Sequence, residues 1–355
     1  MSKKIILTGG GTAGHVTPNI ALIPRLRQLG YEIYYIGSYT GIEKQLIEAL
    51  NIPYFGISSG KLRRYKSLKN LSDPFRVIKG YFDASKLMKR LKPDIVFSKG
   101  GFVTVPVVRA AHRHKIPVIA HESDMTPGLA NKLAFPAVTK ICCNFPETLE
   151  NLPAEKAVLS GSPIRKELLE GDRQRALEFT KLSGEKPVLM IVGGSLGAQA
   201  VNEAVRRILD RLLENFDIVH LCGKGKTDDS LTSKHGYVQY EYIQEEMADL
   251  FALADVIISR AGANAICEIA ALKKPNLLIP LSAKASRGDQ VLNARSFEKQ
   301  GYSVVIEEEN LTDELLYDTI TDLYENRSRY IDAMAAGTRR DAITIITDLI
   351  EKYHK

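Results

Sequence analysis

Two distant stretches of the chain open alike. Ile5-Ile6-Leu7-Thr8 runs into Gly9-Gly10-Gly11-Thr12-Ala13-Gly14, and Val188-Leu189-Met190-Ile191-Val192 runs into Gly193-Gly194-Ser195-Leu196-Gly197. Each reads as a buried strand, a glycine-rich turn and the start of a helix. Further apolar runs follow the first opening at Glu32–Ile36, Ile95–Phe97, Val118–Ala120 and Lys140–Cys143, and the second at Asp217–Leu221, Val256–Ile258, Asn276–Ile279 and Ser303–Ile306. Amphipathic stretches lie between them, among them Asn19–Leu29, Gly41–Leu50, Ala200–Glu214, Ala263–Leu272 and Val291–Gln300. Strands alternating with helices imply βαβ units and parallel sheets. The expected fold is α/β, with two Rossmann-like doubly wound parallel-sheet domains facing across a cleft. Ligands of such sheets bind beyond the carboxyl ends of the strands. The expected division is 1–162, 163–340 and a terminal helical segment 341–355 that could pack back on the first domain.

The 355 residues are 45% hydrophobic and 25% charged, an ordinary globular composition that excludes a disordered tail, a collagen and a coiled coil. No apolar window of about 18 residues exists, so no membrane-spanning helix is expected. Met1-Ser2-Lys3-Lys4 passes directly into a strand, so no signal peptide is expected and the cytoplasm is the expected compartment. Cys142, Cys143, Cys222 and Cys267 have neither zinc nor disulfide spacing and read as reduced, mostly buried thiols.

The net charge of +6 is concentrated in one segment. Between Lys61 and Lys92 eleven Lys and Arg face only Asp73 and Asp83, a local net of +9, which leaves −3 for the rest of the chain. Leu62, Tyr65, Leu68, Phe75, Ile78, Tyr81 and Phe82 are interleaved with them. Basic residues among apolar and aromatic ones suit an anionic membrane surface, and the 61–71 stretch, read as a loop, is the stronger candidate. For 74–92 a solvated helix packed on its own domain is an equally good reading. No nucleic-acid-binding motif is recognisable, and no nucleic acid is expected as a partner.

Glycines allow close backbone approach to a phosphate, and the helix that follows offers free N–H groups and a positive dipole end. A nucleotide or diphosphate ligand is one reading; a tight βα turn is the other. Gly9-x-Gly11-x-x-Gly14 matches the dinucleotide fingerprint by letter, but the second strand ends Tyr35-Ile36-Gly37-Ser38, without the required acid. NAD is therefore disfavoured, and no P-loop signature occurs. His15 stands at a helix start, where an imidazole can take a proton near neutral pH or only cap and orient. His121-Glu122-Ser123-Asp124 follows a strand, and Glu268 falls early in a helix, where its carboxylate suits a ribose diol or merely the helix dipole. The stretch Ser286–Asn293 offers amide side chains but by itself assigns no ligand.

Five passages in order carry a resemblance that spans nearly the whole chain. They are Gly9–His15, Lys99-Gly100-Gly101-Phe102 through Pro106, His121–Asp124 through Gly128-Leu129-Ala130-Asn131-Lys132, Gly193–Ala198, and Arg260-Ala261-Gly262 through Glu268 to Gln290 and Asn293. Together they resemble the family 28 glycosyltransferases of bacterial peptidoglycan synthesis, which have the GT-B fold. The resemblance implies transfer of N-acetylglucosamine from UDP-N-acetylglucosamine to the C4 hydroxyl of the muramic acid of lipid I, giving lipid II. It also implies a peripheral position on the cytoplasmic membrane face, in agreement with the basic segment. By the family pattern Ser195 contacts diphosphate. Ile243, Ala263, Asn264, Ala265, Ile266 and Cys267 lie at the uracil and ribose, Glu268 on the ribose hydroxyls, and Gln290 with Asn293 on the sugar. Arg165 matches an arginine at the nucleotide sugar, and Thr12, Ala13 and Gly14 face the donor. Ala13 stands where the family has glycine, and Asp124 where asparagine is frequent; a carboxylate there accepts hydrogen bonds only, or acts as a base.

The family's change from an α to a β linkage implies a single inverting displacement that needs a general base. His15 is the first candidate and Asp124 the second. No D-x-D triplet occurs, so neither a metal nor another cofactor is expected. The competing expectations are a UDP-N-acetylglucosamine 2-epimerase of the same architecture and a non-catalytic UDP-sugar binder at the membrane surface.

Overall fold

The computed structural model describes residues 3–60, 69–194, 197–284, 288–337 and 341–355. The chain divides into two compact units, Met1–Arg165 with Arg340–Lys355, and Lys166–Arg339.

The first unit contains strands β1 (Lys3–Thr8), β2 (Tyr31–Ser38), β3 (Tyr54–Ile57), β4 (Ile95–Ser98), β5 (Val118–Glu122), β6 (Lys140–Cys143) and β7 (Ala157–Leu159). They form one sheet in the order β3-β2-β1-β4-β5-β6-β7, and every pairing is parallel. Strand residues alternate between two cores. Ile6, Ile36 and Val96 face one that is completed by Ala84, Met88, Val107 and Ala111 from helices Lys69–Leu91 and Thr104–Arg113. Ile5, Leu7, Ile33 and Phe97 face the other, with Leu22 and Leu26 of helix Thr17–Gln28. Both faces of the central strands are dry, which is why they read as continuous apolar runs. Helix Ala342–Tyr353 joins the second core through Ile346 and Ile350. Its Glu351 accepts hydrogen bonds from Lys3 Nζ and Tyr31 Oη, both at 2.6 Å, so the chain's end is fastened to its first strand.

The second unit repeats the pattern. Its strands are β8 (Val188–Val192), β9 (Asp217–Leu221), β10 (Tyr237–Tyr240), β11 (Val256–Ser259), β12 (Asn276–Leu278) and β13 (Val304–Val305). They are ordered β10-β9-β8-β11-β12-β13, again all parallel. Leu189, Ile191, Ile218, Val256 and Ile258 build its core with Val201, Val205, Leu212 and Leu316.

Three strands lie outside the apolar runs of the sequence: β3, β7 and β10. Each is at a sheet edge and mostly half-buried, so its apolar signal is weak. The single helix expected over Ala200–Glu214 is two, Gln199–Arg207 and Leu209–Asn215, because Ile208 leaves helical geometry at φ −106°, ψ 15°. The segment 69–71, read as part of a loop, begins helix Lys69–Leu91; the remainder of that loop, 61–68, lies outside the described residues. Among the described residues no helix is long and apolar enough to cross a membrane. Cys142, Cys143 and Cys222 are buried free thiols and Cys267 is half-buried.

Candidate functional site

In an open parallel sheet the crevice that takes a ligand lies where the strand order reverses. In the first unit that point is between β1 and β4, where Thr8 pairs with Ser98. The loops leaving these strands lie backbone to backbone. Lys99 N–H donates to Thr8 O at 2.8 Å and Gly10 N–H to Gly100 O at 3.4 Å. A Cβ on Gly9 would overlap the carbonyl of His15, and one on Gly101, at φ +92°, would overlap that of Gly10. Only glycine permits this approach. Gly11, at φ +90°, then turns the chain into extended Thr12 and the short 3-10 turn Ala13–His15 that precedes helix Thr17–Gln28. Thr12 Oγ1 lies 3.1 Å from His15 Nδ1, which fixes one edge of the imidazole.

The third loop leaves β5. Glu122 is buried, and its carboxylate accepts the N–H groups of Asp124 and Gly128, each at 3.0 Å, and Asn131 Nδ2–H at 2.8 Å. Burial raises the carboxyl's pKa while these donors pull it back. The loop carrying Asp124 is thus folded around one acid. Lys99 is 1% exposed and donates its ammonium to Ser123 Oγ, which ties the β4 loop to the β5 loop. His121 is fully buried, with Nε2 3.0 Å from Gly161 O. Burial first, and the Lys99 charge second, push its pKa well below the ordinary histidine value, so it stays neutral and structural.

In the second unit the reversal lies between β8 and β11, where Val192 pairs with Ser259. Gly194 and Gly197 have φ of +78° and +68°, and a Cβ on Gly197 would overlap Cys222 O. Ser195 lies outside the described residues. Among the described residues helices Gln199–Arg207 and Ala263–Ala271 both start without a side-chain cap, and a helix start of this kind turns its positive dipole end toward an anion. In the latter helix Ala263 and Ile266 turn into the interior at 5% and 1% exposure, whereas Asn264, Ala265, Cys267 and Glu268 are half-buried. The first two can therefore offer a ligand main chain rather than side chain. Ile243, in the segment after β10, is buried at 9% exposure.

Gln290 and Asn293 both brace this unit. Gln290 Oε1 accepts Leu281 N–H at 2.9 Å, and fully buried Asn293 donates Nδ2–H to Ala261 O at 3.3 Å. Arg260 reaches the carbonyls of Ile279 and Pro280 at 3.0 and 3.2 Å and pairs with Glu308, so it joins the ends of β11 and β12. Arg165, where the chain passes from the first unit into the second, has its Nε buried without a hydrogen-bond partner among the described residues.

The structure thus gathers Thr12, Ala13, Gly14, His15 and Asp124 at one carboxyl edge, and Ile243, the 263–268 helix start, Gln290 and Asn293 at the other. A cavity of about 630 Å³ lined by His112, Arg113, Lys115 and Lys156 lies at the amino ends of β5–β7, away from these loops. Two residues with evident work at the first edge carry no assignment in the sequence reading, Lys99 and Glu43. Lys99 carried the signal of a lysine set between an apolar run and two glycines. Glu43 reads as an ordinary acid early in a helix; the nearby Gly37, Ser38 and Gly41 were the available hint.

Two parallel sheets of the same order, each with a glycine turn at its reversal point, define the GT-B class of sugar-nucleotide enzymes. A solved structure of MurG from Acinetobacter baumannii superposes with a TM-score of 0.77 at 28% identity, covering 99% of both chains. A UDP-GlcNAc 2-epimerase from Neisseria meningitidis shares the fold at TM-score 0.67 and 16% identity, over 99% of this chain and 100% of that one. Residues 5–143 match the glycosyltransferase family 28 N-terminal domain and residues 188–350 its C-terminal domain. The chain belongs to glycosyltransferase family 28. It is 64% identical, over 99% of its length and 100% of the relative's, to the UDP-N-acetylglucosamine–N-acetylmuramyl-(pentapeptide) pyrophosphoryl-undecaprenol N-acetylglucosamine transferase of Lachnospira eligens.

Proposed function

We propose that this protein transfers N-acetylglucosamine from UDP-N-acetylglucosamine to the C4 hydroxyl of the muramic acid of lipid I, forming lipid II for peptidoglycan synthesis. The full-length 64% identity to a transferase of that name carries the reading. The second unit takes the donor. The Gly193–Gly197 turn and the N-terminus of helix Gln199–Arg207 stabilise the charge that develops on departing UDP, with Ser195 at the diphosphate. Glu268 takes the ribose diol beside the 263–267 backbone and Ile243, Gln290 and Asn293 take the sugar, and Arg165 reaches the nucleotide. The first unit takes the acceptor beside the turn Thr12–Gly14, whose residues face the donor. His15 removes the C4 proton as the hydroxyl attacks with inversion; Asp124 is the alternative base.

The acceptor is lipid-linked, and helix Lys69–Leu91 supports a peripheral seat on the anionic cytoplasmic membrane face. Ala84, Met88 and Leu91 pack inward, while Phe75, Ile78 and Phe82, at helical spacing, are 74%, 54% and 59% exposed beside Arg76, Lys79 and Lys86. Apolar side chains so exposed gain by entering the lipid interface, and the cations gain from its charge. Incubation with labelled UDP-N-acetylglucosamine and a lipid I analogue tests the reading. Label must appear in the lipid product; an epimerase would instead form UDP-N-acetylmannosamine from the donor alone.

A further inference from the structure

A carboxylate lies beneath the first glycine turn. Glu43, the second residue of helix Ile42–Glu48, is 0% exposed. Its Oε2 accepts the N–H of Gly11 at 3.2 Å, and its Oε1 accepts the N–H of Ser38 at 3.0 Å and the Ser38 hydroxyl at 2.5 Å. Three glycines leave room for it. A Cβ on Gly10 would stand 2.5 Å from its Oε1, one on Gly37 2.9 Å from its Cγ, and one on Gly41 would overlap the carboxylate outright. A carboxylate taken out of water is costly unless hydrogen bonds replace its hydration, and here they come from the turn after β1 and the end of β2. The N–H groups of Gly10 and Gly11 are both turned inward, to Gly100 O and to Glu43. What the turn offers a ligand therefore begins at Thr12, and the position of Thr12, Ala13 and His15 depends on where Gly10 and Gly11 are held.

We propose that Glu43 is a positioning residue of the transfer reaction, fixing the acceptor-side turn through the Gly11 N–H. This rests on the transferase reading above. Glu43→Gln keeps the volume but turns an amide donor toward one of the two N–H groups it must accept. Loss of a hydrogen bond to a charged group corresponds to a fall of roughly 10- to 100-fold, expected here in kcat/KM for the lipid-linked acceptor. The Kd for UDP measured by calorimetry should stay within about twofold, because the second unit, which takes the nucleotide, is untouched. Gly10→Ala supplies an independent arm. Its loss of acceptor kcat/KM should be smaller in a Glu43→Ala background, where the obstructing carboxylate is gone, because contacting residues are not additive. Wild-type protein that fails to transfer sugar in the same assay would reject the transferase reading itself. With wild type active, any of three results overturns the role of Glu43: Glu43→Gln with acceptor kcat/KM at the wild-type level, equal losses toward donor and acceptor together with a lowered unfolding midpoint, or the same Gly10→Ala penalty in both backgrounds.

Discussion

Asn131 donates its Nδ2–H to the buried carboxylate of Glu122 at 2.8 Å, and its carboxamide lies under Gly100. One side chain thus links the loop after β4 to the loop after β5. Asn131→Ala removes a hydrogen bond to a charged group and should cost about 1–3 kcal/mol of stability. It should also loosen the loop that carries Asp124, so that acceptor turnover falls more than UDP binding. Chemical denaturation and paired kinetics read both effects; a variant as stable and active as wild type would remove Asn131 from this role.

His220 is buried in β9 beside Ile191 of β8, with Tyr237 Oη 3.0 Å from Nδ1 and Asn202 Oδ1 3.1 Å from Nε2. Burial first, and the Arg206 charge second, push its pKa down from 6.5 to about 3. The folded state then binds fewer protons than the unfolded state below about pH 6.5, so stability is lost as pH falls from there toward 3. The limiting slope is about 1.4 kcal/mol per pH unit for one such group, and His121, also lowered, adds in the same sense. His220→Gln should flatten the pH dependence of the second unit's unfolding midpoint. Parallel curves for variant and wild type would contradict the assignment.

The exposed triplet Phe75, Ile78 and Phe82 should govern membrane affinity. Replacing all three by Ser removes up to about 1.5–3 kcal/mol for each side chain that fully enters the apolar layer. Co-sedimentation with phosphatidylglycerol vesicles should fall at least tenfold, by the factor of ten per 1.4 kcal/mol, while UDP binding stays intact. The wild-type interaction should weaken as salt rises. Unaltered sedimentation of the triple variant would place the membrane contact elsewhere.

His15→Ala should lower kcat by roughly 10²- to 10⁴-fold if the imidazole is the general base. Thr12→Ala, which loses the 3.1 Å contact to Nδ1, should produce a smaller fall in the same parameter. A loss confined to KM would pass the role of base to Asp124, and Asp124→Asn would then show the larger defect in kcat.

The chain's fold was largely legible because its central strands are buried on both faces. Ile5-Ile6-Leu7 and Val188–Val192 can hardly be anything but the middle of a parallel sheet, and the glycines after them mark the turns at the reversal points. Three of the four edge strands were not, since Ala157–Leu159 is half-buried throughout and only Tyr237 of β10 and Ile57 of β3 are buried; the fourth, β13, falls within the run Ser303–Ile306. The glycine turns were legible where backbone geometry demands a residue type, as at Gly11, Gly101 and Gly197 with their positive φ. The side chains that hold these turns were not, because they act through long-range contacts. Glu43 meets Gly11 across 32 positions and Lys99 meets Ser123 across 24, and no local pattern encodes either. Gln290 and Asn293 illustrate the converse, since amides suited to a sugar's hydroxyls also serve to brace their own loops.

Sugar transfer to a lipid-linked acceptor is measured directly with purified protein, UDP-[14C]N-acetylglucosamine and a lipid I analogue in phosphatidylglycerol vesicles. Acceptor-dependent label should appear in an extractable lipid, with the new linkage β to C4 of the muramic acid by NMR. Label that remains in the nucleotide fraction, whether unchanged or epimerised, would rule out the transfer.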